Sequence, residues 1–181
     1  AFGRGLVALY IDDLPTAARV DLAPEAARAK LAAGRPLLED EEIDLDLPGL
    51  RHFFFRLCSW AGQQPELAAG GDRLQRALMA EELSITELLG VALGGDLALL
   101  DDLAARLDVE PIMIQTLTGF TVSAAPMGTA RVLAPLATEG GTTWAQPLCP
   151  ICGGRPLYAE FHEGGPGQIL RCPACGVRWS H

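Results

Sequence analysis

The residues in this chain whose type and spacing could do chemistry are four cysteines in two short pairs. The first pair stands in Cys149-Pro150-Ile151-Cys152-Gly153-Gly154 and the second in Cys172-Pro173-Ala174-Cys175-Gly176, with nineteen residues between Cys152 and Cys172. A CxxC loop aims two sulfurs at one point. Two such loops at this separation therefore predict a four-thiolate metal site with Cys149, Cys152, Cys172 and Cys175 as ligands. The glycine after each second cysteine allows the tight backbone turn that closes such a knuckle. Four thiolates complete a tetrahedral shell and leave no position for water or substrate, so the expected ion is structural rather than catalytic. Thiolates suit zinc and iron alike, and the expected cofactor is one Zn or Fe ion. Two disulfides or four idle thiols are the competing readings, and nothing in the chain signals the secretion that disulfides would require.

The elements that must position these sulfurs can be read from the flanking residues. Between the knuckles, Leu157, Ala159 and Phe161 alternate with Tyr158, Glu160 and His162, the period of a half-buried strand. Glu163-Gly164-Gly165-Pro166-Gly167 supplies a turn, and Gln168-Ile169-Leu170-Arg171 runs back. The order knuckle, strand, turn, strand, knuckle predicts a small rubredoxin-like or zinc-ribbon β-hairpin unit over residues 144–181. A piece of this size buries too little apolar surface to fold alone, so the metal would act as its core. Trp144, in the 138–147 linker, is expected to pack where the ribbon meets the rest of the chain.

Residues 1–143 are predicted to form a helical domain, which makes the fold class mostly α. Hydrophobic residues reach 49% with only 6% aromatic, and the dominance of Leu and Ala favours helices. A first helix covers Leu6 to Leu14. A second begins with Pro24 in its first turn and ends at Gly34. The acidic run over residues 39–46 reads as a solvated loop, without the spacing of a calcium-binding loop. Pro48 opens a helix with Leu50, Phe53, Phe54, Leu57, Cys58 and Trp60 on its apolar face, where Cys58 serves as a small core hydrophobe and His52 is structural or exposed. Gly70-Gly71 is expected to break the chain before a helix over 72–83 with Leu74, Leu78 and Met79 inward. Ser84 and Glu87 form a capping box for the next helix, in which Gly90 and Gly94 would permit close packing. Asp96 caps a helix through Leu97, Leu100, Leu103, Ala104 and Leu107, and Pro111 and Pro126 mark the first turns of two more.

The net charge of −9 lies almost wholly in the helical part, since residues 149–181 carry three arginines against two carboxylates. Binding to nucleic acid needs clustered Lys and Arg, and this chain has a single lysine, Lys30, and no basic stripe. The longest uncharged run, residues 111–130, holds four Thr, a Ser, a Gln, two Gly and two Pro. It predicts a buried pair of core helices, not a membrane span. Residues 1–14 lack the pattern of a secretory signal, and the expected location is the cytoplasm, where thiols stay reduced. No nucleophile elbow, phosphate loop, dinucleotide fingerprint or HExxH pair occurs, and nothing calls for an enzyme.

Gly34-Arg35-Pro36-Leu37-Leu38 in the helical part, Trp144 shortly before the CPxCG knuckle, and a hairpin into the second CxxC followed by Trp179 together resemble the formate dehydrogenase accessory proteins (FdhE-like). The resemblance spans nearly the whole chain, and its specific part is residues 144–179. It implies a cytoplasmic, non-enzymatic assembly factor that acts on the catalytic subunit of formate dehydrogenase before export. It also implies metal-binding, rubredoxin-like knuckles ligated by Cys149, Cys152, Cys172 and Cys175, and no catalytic residue. That family continues past the second knuckle with further CxxC pairs, whereas this sequence stops at His181, and Ser180 stands where many members have His. The alternatives from other classes are a zinc ribbon that binds nucleic acid or another protein in transcription, which the charge opposes, and a dithiol redox enzyme, which two metal-closing knuckles oppose.

Overall fold

The structure is a computed structural model and describes residues 2–12, 18–138, 144–161 and 168–180. In chain order the helices are α1 (Phe2–Asp12), α2 (Pro24–Ala32), α3 (Leu47–Gly62), α4 (Ala68–Met79), α5 (Ile85–Gly94), α6 (Leu97–Leu107) and α7 (Pro111–Thr138). The strands are β1 (Ala18–Arg19), β2 (Asp44–Leu45), β3 (Tyr158–Phe161), β4 (Gln168–Arg171) and β5 (Arg178–Ser180). Internal contacts divide the chain into two compact units, Ala1–Ala17 with Asp46–Ala125, and Ala18–Leu45 with Pro126–His181. This division does not fall at the expected 143/144 boundary. The knuckles cannot cover their own apolar side, and the second unit covers it with α2 and with residues 126–138 of α7.

The first unit is built on α3. Leu50, Phe53, Phe54, Leu57, Cys58 and Ala61 recur at the spacing of one helical face, and all are fully buried. Each buried Phe or Leu contributes about 1.5–3 kcal/mol against its exposed state. Asp46 starts the helix by accepting the Gly49 N–H at 3.0 Å, and Arg51 donates to the Leu78 carbonyl near the end of α4 at 2.8 Å. Tyr10 sets its ring edge-on to Phe53 with centroids 5.4 Å apart and donates its hydroxyl hydrogen to the Phe120 carbonyl. Gly70 and Gly71 do not break the chain: both lie inside α4. A Cβ at Gly71 would come within 2.7 Å of the Gly62 nitrogen and 2.8 Å of the Cys58 carbonyl oxygen, so the glycine lets α4 lie backbone to backbone on α3.

Other local signals are realised as read, with exceptions that follow from packing. The Ser84 hydroxyl accepts the Glu87 N–H at 3.1 Å and the Glu87 carboxylate accepts the Ser84 N–H at 2.8 Å, the expected capping box of α5. Gly95 turns with φ +62° and Asp96 caps α6. Met79, expected inward, is 66% exposed, and Gly94 faces open space instead of a helix. The two helices expected after Pro111 and Pro126 are one. Pro126 and Pro135 both lie inside α7, each without the N–H that an interior position normally donates. Thr121 in α7 is buried and donates its hydroxyl to the Leu117 carbonyl at 2.9 Å, which is how a polar residue sits in an uncharged buried run. No helix among the described residues is long and apolar enough to cross a membrane.

In the second unit, β1 and β2 pair antiparallel, and β3, β4 and β5 form a three-stranded antiparallel sheet in that order. The sequence predicted a hairpin, and the third strand, Arg178–Ser180, extends it. Ala159, Leu170 and Trp179 stand opposite one another across the sheet and pack into the unit's core with Ala27, Leu31, Leu37, Ala130, Leu133 and Ile151. The expected half-buried face of β3 is realised only at Ala159, because Leu157 and Phe161 lie beyond the core's edge and are 69% and 76% exposed. The expected turn at 163–167, His162, His181 and half of the linker (139–143) lie outside the described residues.

Candidate metal centre

Each knuckle is a loop closed by two backbone hydrogen bonds in the same pattern. The Cys149 N–H donates to the Gly154 carbonyl at 2.9 Å and the Gly153 N–H to the Cys149 carbonyl at 3.0 Å. The second knuckle repeats this with Cys172 to Val177 at 2.9 Å and Gly176 to Cys172 at 3.0 Å. Gly153 and Gly176 adopt φ of +72° and +74°, the left-handed conformation expected at both positions. Gly154 serves a different end. A Cβ there would stand 3.2 Å from Cys172 Sγ and 3.3 Å from Cys152 Sγ, so this second glycine leaves room for the sulfurs.

The loops bring all four predicted ligands together. The Sγ atoms of Cys149, Cys152, Cys172 and Cys175 lie within 4.8 Å of one another. Cys149 and Cys175 are separated by 3.5 Å, Cys152 and Cys172 by 3.5 Å, and Cys152 and Cys175 by 3.6 Å. A tetrahedral shell with metal–sulfur bonds of about 2.3 Å puts its sulfurs about 3.8 Å apart, so the donor set fits a tetrathiolate ion. Disulfide sulfurs would be bonded at about 2.05 Å, and all of these cysteines are free. Cys149, Cys172 and Cys175 are buried, and Cys152 is the one partly open to solvent.

The electrostatics of the cluster are compatible with a bound cation. The neighbouring Cys152 and Cys175 thiols hold Cys149 well below the ordinary thiol range, against the opposing effect of burial. Cys175 moves the other way, because its contacts with the Cys149 and Cys152 sulfurs, and burial after them, disfavour its charged form. Four thiols in one small space cannot all ionise unless a positive ion sits among them, and such an ion displaces their protons. The remaining cysteine, Cys58, lies fully buried in the first unit, where desolvation pushes its thiol up and makes it unreactive.

Sequence reasoning missed the residues that hold the first knuckle. The Leu37 and Leu38 N–H groups donate to the Pro150 and Ile151 carbonyls, each at 2.8 Å. The motif Gly34-Arg35-Pro36-Leu37-Leu38 is thus a strap across the CPxC loop, with Pro36 against Gly153. Lys30 of α2 holds the strap. Its side chain is 13% exposed, and its ammonium donates to the Leu37 carbonyl at 3.1 Å and to the Glu39 carbonyl and pairs with Glu41. The acidic run is therefore not wholly solvated, since Glu41 neutralises Lys30 and Asp46 caps α3. An unusual lone lysine beside a Pro-Leu-Leu motif was the available signal, but nothing local links it to the cysteines. Trp144 packs on the core that contains the knuckles and donates its indole N–H to the Leu148 carbonyl at 2.7 Å.

Comparison of the chain with family models, with curated proteins and with solved structures returns no match in any of the three.

Proposed function

We propose that Cys149, Cys152, Cys172 and Cys175 hold one zinc or iron ion in a closed structural centre, and that the chain is a non-enzymatic accessory protein for formate dehydrogenase. In this reading it engages the catalytic subunit in the cytoplasm before export. The observation that carries it is the backbone pairing of Leu37 and Leu38 with Pro150 and Ile151. The two sequence signatures on which the family resemblance rests, the Pro-Leu-Leu motif and the CPxCG knuckle, form one physical unit. The chain's own residues bind the ion, with Gly154 leaving space for the sulfurs and the strap holding the loop. An ion there supplies rigidity if it is zinc and a one-electron couple if it is iron. The ribbon presents Leu157, Tyr158 and Phe161 to solvent, while Arg178 is engaged by Glu160 at 2.7 Å, which favours a protein surface over phosphates as its counterpart.

The test is a pull-down of the immature catalytic subunit by this protein at micromolar concentration. Retention above background, reduced by Phe161→Ser, is the expected result, and retention no higher than background sinks the reading. Elemental analysis should give one ion per chain, and absorbance identifies it, since ferric thiolate is coloured and zinc is not.

A further inference from the structure

The outer face of the three-stranded sheet carries donors that no acid of this unit uses. Tyr158, Arg171 and Arg178 stand in register across β3, β4 and β5, so their side chains share one face. Two guanidinium groups directly opposite one another on neighbouring strands repel. Arg178 reaches past β4 to Glu160 on β3 at 2.7 Å, which answers its charge. Arg171 also turns to β3 but meets a neutral partner there, donating from Nη1 to the Tyr158 hydroxyl at 3.2 Å. The phenolic oxygen accepts that bond, and its own hydrogen remains to be given. Among the described residues no acceptor takes this hydrogen and no carboxylate pairs with Arg171. Two guanidinium groups and a phenol therefore converge over β3 around one carboxylate, a donor set complementary to one further anion.

The same strand is an edge of the sheet, and among the described residues no strand pairs with its outer side. Its other face is apolar, since Leu157 and Phe161 stand clear of the core on either side of Ala159. The opposite edge, β5, offers no such face, because its Trp179 is buried. We propose that β3 is a strand-addition site for an extended segment of a partner protein, with Asp or Glu opposite Tyr158 and an apolar residue on each side of that acid. Backbone pairing along β3 supplies affinity, and alternation sorts the side chains. The carboxylate accepts from the Tyr158 hydroxyl and from Arg171, and its apolar neighbours fall on the face of Leu157 and Phe161. A second copy of this chain is a poorer match, because its β3 would bring Glu160, which Arg178 already holds. The net charge of −9 repels polyanions and so favours a single carboxylate between apolar residues. This inference rests on the ribbon as a protein-binding surface and holds for any partner with that pattern.

The experiment titrates the full chain into a fluorescein-labelled peptide, Val-Glu-Val-Thr-Val, and reads fluorescence anisotropy. Saturable binding is expected, and methylation of the peptide's backbone nitrogens should abolish it. Gln in place of the peptide's Glu should weaken binding about tenfold, as for loss of a charged hydrogen-bond partner. Arg171→Gln should weaken it to the same extent, with no further loss when the two changes are combined. Phe161→Ser should weaken binding of both peptides alike. The peptide pair decides the matter alone if Arg171→Gln does not fold. No saturation at millimolar protein, or equal affinity for the Glu and Gln peptides, overturns the proposal. A dimer in sedimentation that Phe161→Ser dissolves also overturns it, since a second copy then occupies the strand. Retention of the catalytic subunit without peptide binding sinks this inference and leaves the proposed function standing, and peptide binding without retention does the reverse.

Discussion

Gly153 and Gly154 are neighbours with unlike duties, and the difference can be measured. Gly176 is the cleaner counterpart of Gly153, because its φ is +74° and the nearest side-chain atom to a new Cβ would be Met127 at an ordinary 3.6 Å. Gly176→Ala should lower the unfolding free energy of the metal-loaded protein by about 1–2 kcal/mol, the cost of a left-handed non-glycine residue, with the ion count unchanged. Gly154→Ala meets sulfur instead. It should weaken metal retention about tenfold, in the range for groups that support a metal shell, as read by competition with a chelator. Equal retention in the two variants would contradict the geometry given for Gly154. Cys172→Ser should abolish stoichiometric metal binding. Cys58→Ala should leave it untouched, since Cys58 belongs to the core of the other unit.

Among the elements, α4 depends on one atom's worth of space. Gly71→Ala would drive a methyl group into the backbone of α3, and neither the Gly62 nitrogen nor the Cys58 carbonyl can rotate away. A loss of about 1–3 kcal/mol in denaturant unfolding is expected, as for other overpacked interiors. At the start of α5 the Ser84 backbone N–H, opposed in part by burial, holds the Glu87 carboxyl below its ordinary range, and Arg106 adds to this at 2.9 Å. A carboxylate with a depressed folded value contributes stability above its unfolded value and loses it as pH falls through the folded one. The stability gap between the native protein and Glu87→Gln should therefore be full near neutrality and close on acidification. A gap that is constant across that window would refute the role of the charged form.

For the molecule as a whole, the four-cysteine cluster is also part of the core of one unit, because Cys149, Cys172 and Cys175 are buried in the cluster that includes Leu31, Leu37, Leu133 and Trp179. Removal of the ion leaves thiols that cannot share their protons without conflict, so chelation should loosen this unit. The near-ultraviolet signal of Trp144 and Trp179 should collapse while most of the helical signal of the unit built on α3 persists. Protons compete with the metal for the same sulfurs, so retention must fall as pH falls. Retention that improves in acid would exclude a thiolate site.

Much of this protein was legible from its residues in order. Signals that act at fixed short offsets identified the four clustered cysteines, the left-handed glycines of the knuckles, the Ser84–Glu87 box and the apolar face of α3, because each depends on neighbours a few positions away. Only the tertiary structure decided that Leu37 and Leu38 lie on the first knuckle with Lys30 behind them, that Gly71 closes α4 on α3, that Leu157 and Phe161 fall outside the core, and that α2 and the end of α7 share a unit with the three-stranded sheet. These facts arise when segments distant in sequence compete for the same apolar surface and the same backbone donors. No local window records the outcome of that competition.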